Sequence, residues 1–428
     1  MAMKGSTTRI WIFALVFLTF AAIVDVKPSS STIRGVKVTG TENQGEVKAN
    51  DVNNLNSIRI ATFGSSRSWG AAIEHPERDS FSALLGAKNL AIRASGPEFP
   101  AVCTYSMLGE EIYDVFVIEY MLNFVSPALD VLAKRLRNRF PDATIIFLNI
   151  WAPRQYSHTP TQETLNTMAY KKYQSLSNFT ALDYVNQVMA ETNAEDWTFK
   201  PYNPKFIEDV ANEVGGWIID LPKDNDPIVS LSKVVPLYVY DLTHFSEFGH
   251  AWVRDRILET LSKAGSKQVE KVLPWDYTDQ CSSWFQTGKS DLRHNMQVTD
   301  FGSGTKFALQ TRPPPEKNYI EIENVWNRTA FLYVSFMSNG PEPIYPDVLI
   351  SVSQNGNKTS AQVAHPYFDI TPMGGTLHVV NHVLVGTINP GISNVTILEL
   401  TTGHKEHFRL VGIMVSLLSF GHSIFAAI

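Results

Sequence analysis

The sequence predicts an α/β region, built as a parallel sheet with helices on both faces, followed by an all-β, sandwich-like region. Three observations lead there. From Ser57 to about Gly265, short β-branched and nearly continuous apolar runs alternate with helical patterns, as strands buried on both faces do. Beyond a connector the helical periodicity stops, and strand-like runs follow one another between Gly, Pro and Asn clusters. The 428 residues, 44% of them hydrophobic, are too many and too apolar for one minimal domain, since domains hold about 100–200 residues each.

At the N-terminus, Lys4 and Arg9 precede an uncharged apolar stretch, Ile10 to Val24, closed by Asp25. That is the layout of a signal, and it directs the chain into the secretory pathway. The stretch is shorter than the roughly 20 residues of a comfortable membrane span. Residues 1–25 therefore read as a cleaved signal peptide or an uncleaved type II anchor, and the product as secreted or membrane-anchored in the Golgi or at the cell surface. Residues 26–56, rich in Ser and Asn, are a flexible arm or stem. Four N-x-S/T sequons, at Asn178, Asn327, Asn357 and Asn394, agree with a lumenal address as glycosylation sites. Cys103 and Cys281 would meet oxidising conditions there, and the sequence leaves open a disulfide or two separate buried thiols.

Strands are expected at Ser57–Phe63, Leu90–Arg93, Asp114–Tyr120, Thr144–Trp151 and Gly216–Leu221. Leu129, Leu132, Leu136 and Phe140 form one face of an amphipathic helix whose other face carries Lys134, Arg135, Arg137 and Arg139. Such alternation implies right-handed crossovers in a domain spanning residues 57–265. After a connector, 266–280, the β region 281–428 offers strands at Met296–Phe301, Lys306–Thr311, Tyr319–Val325, Phe331–Met337, Asp347–Gln354, Thr376–Val385, Asn394–Leu400 and His407–Ser416. The apolar C-terminus resembles a lipid-anchor signal, but Arg409–Ser416 reads as a final buried strand.

The charge balance, 36 Lys plus Arg against 42 Asp plus Glu for a net −6, argues against nucleic acid as a partner. Two cysteines exclude a disulfide-dense scaffold and a four-cysteine zinc site.

The residues able to carry chemistry lie in two places. The first strand runs into Phe63-Gly64-Ser65-Ser66-Arg67-Ser68, and a serine in a tight turn at the carboxyl end of a parallel strand points into the ligand crevice. Far along the same domain, Asp241 and His244 are separated by two residues in a loop before a helix. This spacing lets a carboxylate orient an imidazole that activates a serine hydroxyl. Read alone, either motif also fits a helix-capped loop. His250 reads as a packing or capping residue, Glu119 as a buried hydrogen-bonding group, and Trp275, Trp284 and Trp326 as core fillers or sugar-stacking platforms.

Taken together these residues resemble the SGNH, or GDSL-type, serine hydrolase superfamily. Gly64-Ser65-Ser66 is similar to its first block, with Ser65 in place of the aspartate. Gly96, in Asn89–Pro97, is similar to the second. Asn123 keeps the amide of the third, with Met121 and Phe124 replacing a glycine and an aspartate. Asp241 with His244 match the last. The resemblance covers about half the chain. It implies a flavodoxin-like α/β/α sheet and a catalytic set of Ser66, His244 and Asp241. It also implies an oxyanion hole made by the Ser66 and Gly96 N–H groups with the Asn123 amide, and no cofactor or metal. The function expected is hydrolysis of O-acyl esters, chiefly O-acetyl groups on a polysaccharide or glycan. Two alternatives stay open: transfer of the acyl group to a sugar hydroxyl from the same site, and a catalytically inactive carbohydrate-binding glycoprotein. The expected partner is an acylated carbohydrate or other ester, with membrane attachment through the N-terminal segment only if the anchor is retained.

Overall fold

The computed structural model describes residues 58–120, 126–150, 204–221, 237–239, 243–264, 279–284, 288–289, 291–301, 306–313, 317–340, 344–367, 377–417 and 419. The N-terminal apolar stretch and arm, Asn123, Asn178, Asp241 and Trp275 lie outside them.

The α/β region follows the order β1 (Ile60–Gly64), α1 (Ser66–Trp69), α2 (Pro76–Asp79), α3 (Phe81–Leu84), β2 (Lys88–Asn89), α4 (Glu98–Leu108), β3 (Val115–Glu119), α5 (Ala128–Arg139), β4 (Thr144–Ile150), α6 (Pro204–Val214), β5 (Trp217–Leu221) and α7 (Glu247–Lys263). All five strands pair in parallel, in the order β2-β1-β3-β4-β5. The strand order reverses between β1 and β3, and the crevice at their carboxyl ends is where a doubly wound sheet binds ligands.

The apolar runs are continuous because both faces are covered. Phe63, Phe116, Ile118, Ile145 and Phe147 pack in one cluster with α4, α5 and α6. Their neighbours of opposite parity, Ile60, Val115, Val117, Ile146 and Leu148, pack with Phe81 of α3 and with Val253 and Ile257 of α7. This is the expected α/β/α layering.

Two local expectations need correction. The second strand is two residues long and ends before Leu90, although the Leu90 and Ile92 N–H groups still donate to the Thr62 and Gly64 carbonyls, 2.8 and 2.9 Å. On α5, Arg135 and Arg137 are buried rather than solvated. Arg137 donates to the carbonyls of Val214, Pro141 and Ala143, and Arg135 pairs with Asp279 at 2.8 Å with both side chains fully buried.

The second region contains β6 (Asp279–Ser283), β7 (Gln297–Asp300), β8 (Phe307–Gln310), β9 (Asn318–Asn324), β10 (Ala330–Gly340), β11 (Val348–Gln354), β12 (Asn357–Ala364), β13 (Leu377–Ile388), β14 (Gly391–Glu399) and β15 (Arg409–Ser416). One antiparallel sheet runs β13-β10-β15-β8-β7 with β6 also on β15, and the other runs β12-β11-β14-β9. Residues such as Leu332, Val334 and Phe336 from the first and Val348, Ile350, Val395 and Ile397 from the second share a core. Fully buried Trp284 is in that core and Trp326 packs on it, so the sugar-stacking reading fails for Trp284.

β6 and β12 were not among the expected strands. Both lie on a sheet edge and are polar, without an apolar alternation. The β11–β12 hairpin turns on Asn355-Gly356, both at positive φ (53° and 81°), as a two-residue hairpin loop requires.

The six-stranded sheet is buried on its other face too. Tyr333, Met337, Val380, Val411 and Met414 join the cluster that covers the α/β sheet, and a Cβ on Gly412 would lie 3.0 Å from the Phe99 ring. A disulfide joins Cys103 of α4 to Cys281 of β6. Beside it the Asp279 carboxylate accepts from the Tyr105 and Ser106 N–H groups at 2.9 and 2.8 Å. The three described sequon asparagines, Asn327, Asn357 and Asn394, are exposed. Among the described residues no helix is long and apolar enough to cross a membrane.

Candidate active site

Ser66 is the first residue of α1, directly after the Gly64-Ser65 turn that ends β1. The helix is one tight turn, with the Trp69 and Ala71 N–H groups donating to the Ser65 and Ser66 carbonyls. Gly70 closes it at φ 88°, a conformation a residue with a Cβ resists. Gly64 is required for another reason: a Cβ there would overlap the Ser68 side chain.

His244 arrives from the far end of the chain. Val239 N–H donates to its carbonyl at 2.9 Å, Ser246 N–H donates to the Leu237 carbonyl at 2.9 Å, and Tyr238 and Phe245 form an antiparallel bridge. Ser246 then caps α7 by accepting from Gly249 N–H at 3.1 Å. Gly249 allows this close approach, since a Cβ would overlap the Leu237 carbonyl oxygen. Buried Phe245 packs on Tyr238 and His250, with the Arg67 guanidinium 5.6 Å from its ring centre. The result is one short contact: His244 Nε2 lies 2.8 Å from Ser66 Oγ, across 178 residues of sequence. Ser66 and His244 are half-buried, open to solvent on one side.

Gly96 sits in the loop between β2 and α4. Ala94 holds a left-handed φ of 58°, which costs a residue other than glycine about 1–2 kcal/mol. Its carbonyl accepts from Val380 N–H of β13 at 2.8 Å, so a strand of the sandwich fastens this loop. Arg93 stacks on Trp69 of α1 at 4.7 Å. The Glu98 carboxyl folds back against Gly96, where a Cβ would overlap its Oε2. Burial pushes Glu98 up to about 7 against the opposing pull of Ser126. Neither Glu98 nor Arg67 was singled out by sequence; a charged residue flanking a Gly-Pro or Gly-Ser turn carries no pattern of its own.

His250 is buried, and its Nδ1 accepts from Phe81 N–H at 3.2 Å, a structural partner rather than a second base. Burial, then repulsion from His244, depresses it to about 3, with Asp79 pulling the other way. It is therefore neutral in the fold and takes up a proton only on unfolding below about pH 6.5. The stabilisation from holding it neutral is present above pH 6.5 and is lost as pH falls toward 3. Relative to His250→Gln, the wild-type protein is expected to lose about 2 kcal/mol between pH 7 and pH 5. Urea midpoints at the two pH values check this; an unchanged gap between the proteins refutes it.

Among the described residues no group of three His, Cys, Asp or Glu side chains is placed to hold a metal ion.

No family model matches the chain, and no curated protein sequence matches it. Solved structures similar to it include a two-domain esterase (CEX) active on acetylated mannans, co-crystallized with mannopentaose. That similarity has 12% identity and a TM-score of 0.48 and covers 86% of this chain and 95% of the other. A Lactobacillus plantarum protein is similar at 15% identity and a TM-score of 0.32, over 49% of this chain and 98% of its own. A family 35 carbohydrate binding module from an environmental isolate is similar at 10% identity and a TM-score of 0.22, over 32% of this chain and 93% of its own. At such values the chemistry has to be argued from the side chains themselves.

Proposed function

We propose that the protein is a serine esterase that hydrolyses O-acyl esters, with O-acetyl groups on a polysaccharide or glycan as the substrate class. The observation that carries this reading is the 2.8 Å contact between Ser66 Oγ and His244 Nε2 at the carboxyl end of the parallel sheet. An unactivated serine hydroxyl needs a base at that distance. In the proposed reaction Ser66 Oγ bonds to the ester carbonyl carbon while its proton passes to His244 Nε2. The tetrahedral oxyanion is held by the Ser66 and Gly96 N–H groups and the Asn123 amide. His244 returns the proton to the leaving alcohol as the C–O bond breaks, and water releases the acyl group by the same steps in reverse order. Asp241 is the proposed acceptor of the Nδ1 proton. The glycan assignment follows from the SGNH resemblance and the secretory leader expected from sequence.

The test is a fluorophosphonate that forms a covalent adduct with activated serines, followed by mapping of the labelled peptide, together with acetate release from an aryl acetate and from an acetylated glycan. An adduct on Ser66 and release of acetate are expected. Failure of Ser66 to label, or acetate release that survives without it, refutes the assignment.

The Glu98 carboxyl beside Gly96 makes this site pH-sensitive. Above about pH 7 it becomes an anion next to a proposed oxyanion donor, so kcat is expected to fall with an alkaline limb near 7. Glu98→Gln, always neutral, is expected to lose that limb; a profile identical to wild type would count against it.

A further inference from the structure

Beneath the nucleophile turn lies a carboxylate that the reaction as described does not use. Glu119, the last residue of β3, is fully buried. Its Oε2 accepts from Ser65 Oγ at 2.8 Å, from Ser65 N–H at 3.2 Å and from Ser68 Oγ at 3.1 Å. Its backbone carbonyl accepts from the same Ser65 N–H at 3.2 Å. Ser65 and Ser68 are themselves buried and lie one residue before and two residues after the half-buried Ser66 in the turn. Ser65 and Ser68 are both tied to this one oxygen, while Ser66, directly after Ser65 in the same turn, has its hydroxyl 2.8 Å from His244 Nε2. Arg67, also buried in the turn, lowers the proton affinity that burial gives Glu119 and reaches across to Phe245, the residue after the histidine. The other carboxyl oxygen, Oε1, is buried with no hydrogen-bond partner among the described residues.

We propose that Glu119 is a positioning residue for Ser66: by accepting from Ser65 and Ser68 it fixes the turn in which Ser66 Oγ meets His244 Nε2. This rests on the esterase reading above. The role requires an acceptor oxygen at the Oε2 position and does not require a negative charge. Glutamine supplies the oxygen, with its amide nitrogen in the place of Oε1, whereas alanine supplies none.

The experiment compares Glu119→Ala, Glu119→Gln and Ser68→Ala in aryl acetate hydrolysis and in the rate of fluorophosphonate labelling at Ser66. Glu119→Ala is expected to lower kcat about a hundredfold with KM within threefold, and to slow labelling equally, because a misplaced nucleophile loses rate rather than binding. Glu119→Gln is expected to recover to within about tenfold of wild type, and Ser68→Ala, the mildest change, to lose about tenfold in kcat at unchanged KM. Should Glu119→Ala fail to fold, the Gln and Ser68 variants carry the test. Folded Glu119→Ala with wild-type kcat, Glu119→Gln as inactive as alanine, or Ser68→Ala with wild-type kcat would each overturn the proposal. Wild-type protein that fails to label at Ser66 would instead defeat the esterase reading, so the two failures are told apart.

Discussion

Ser66→Ala is expected to lower ester hydrolysis by about four to six orders of magnitude while leaving the fold intact. The side chain is half-buried at the crevice, its replacement removes one oxygen, and the turn around it is held by Ser65, Ser68 and backbone bonds that alanine leaves in place. His244→Ala is expected to cost a similar factor, because hydroxyl and base work as a unit. The double variant should therefore be hardly slower than either single one. Kinetics of acetate release from an aryl acetate, with circular dichroism as the fold control, checks both claims. Losses that simply multiply in the double variant would show that the two residues act independently.

The second large effect concerns stability. Asp279→Ala is expected to destabilise the protein by about 3–5 kcal/mol. Asp279 and Arg135 are fully buried and 2.8 Å apart, and the guanidinium also donates to the Ala101 and Val102 carbonyls at 2.7 and 2.5 Å and lies over the Tyr105 ring. Removing the carboxylate leaves a cation in the interior and takes the acceptor from the Tyr105 and Ser106 N–H groups. Exchanging both partners for apolar residues, Arg135→Met with Asp279→Leu, removes the charge altogether and should recover much of the loss. Equilibrium urea unfolding measures each variant. A loss below about 1 kcal/mol for Asp279→Ala would mean that water reaches the pair. The neighbouring Cys103–Cys281 bond closes a loop of 178 residues, and its removal is expected to cost about 2–5 kcal/mol at the same place.

What the sequence could convey follows from the range of the forces involved. The parallel strands were legible because burial on both faces leaves an unbroken apolar run, as in Thr144–Ile150. β10 reads the same way for the same reason: alternate residues face the sandwich core and the α/β layer. β6 was illegible because Asp279-Gln280-Cys281-Ser282-Ser283 owes its strand conformation to pairing with β15, more than 120 residues later. The burial of Arg135 was hidden by the same separation, since α5 looks amphipathic until Asp279 is placed against it. In the site, a local motif pointed to His244 and a turn to Ser66, and the resemblance paired the two, but the 2.8 Å distance and the particular donors to Glu119, Ser65 and Ser68, emerge only in the fold. The Glu119 signal was present in weaker form, as one acidic residue ending the apolar run Val115–Ile118.

The bond from Val380 N–H to the Ala94 carbonyl carries a consequence for modularity. A strained loop beside the crevice is tied down by β13, a strand that belongs to the other half of the molecule. The sandwich thus holds a loop of the α/β region in place. Grafting a foreign β module onto this α/β sheet, or shuffling this sandwich onto another enzyme, would separate the loop from its mooring, so the two halves are expected to have been inherited as a pair.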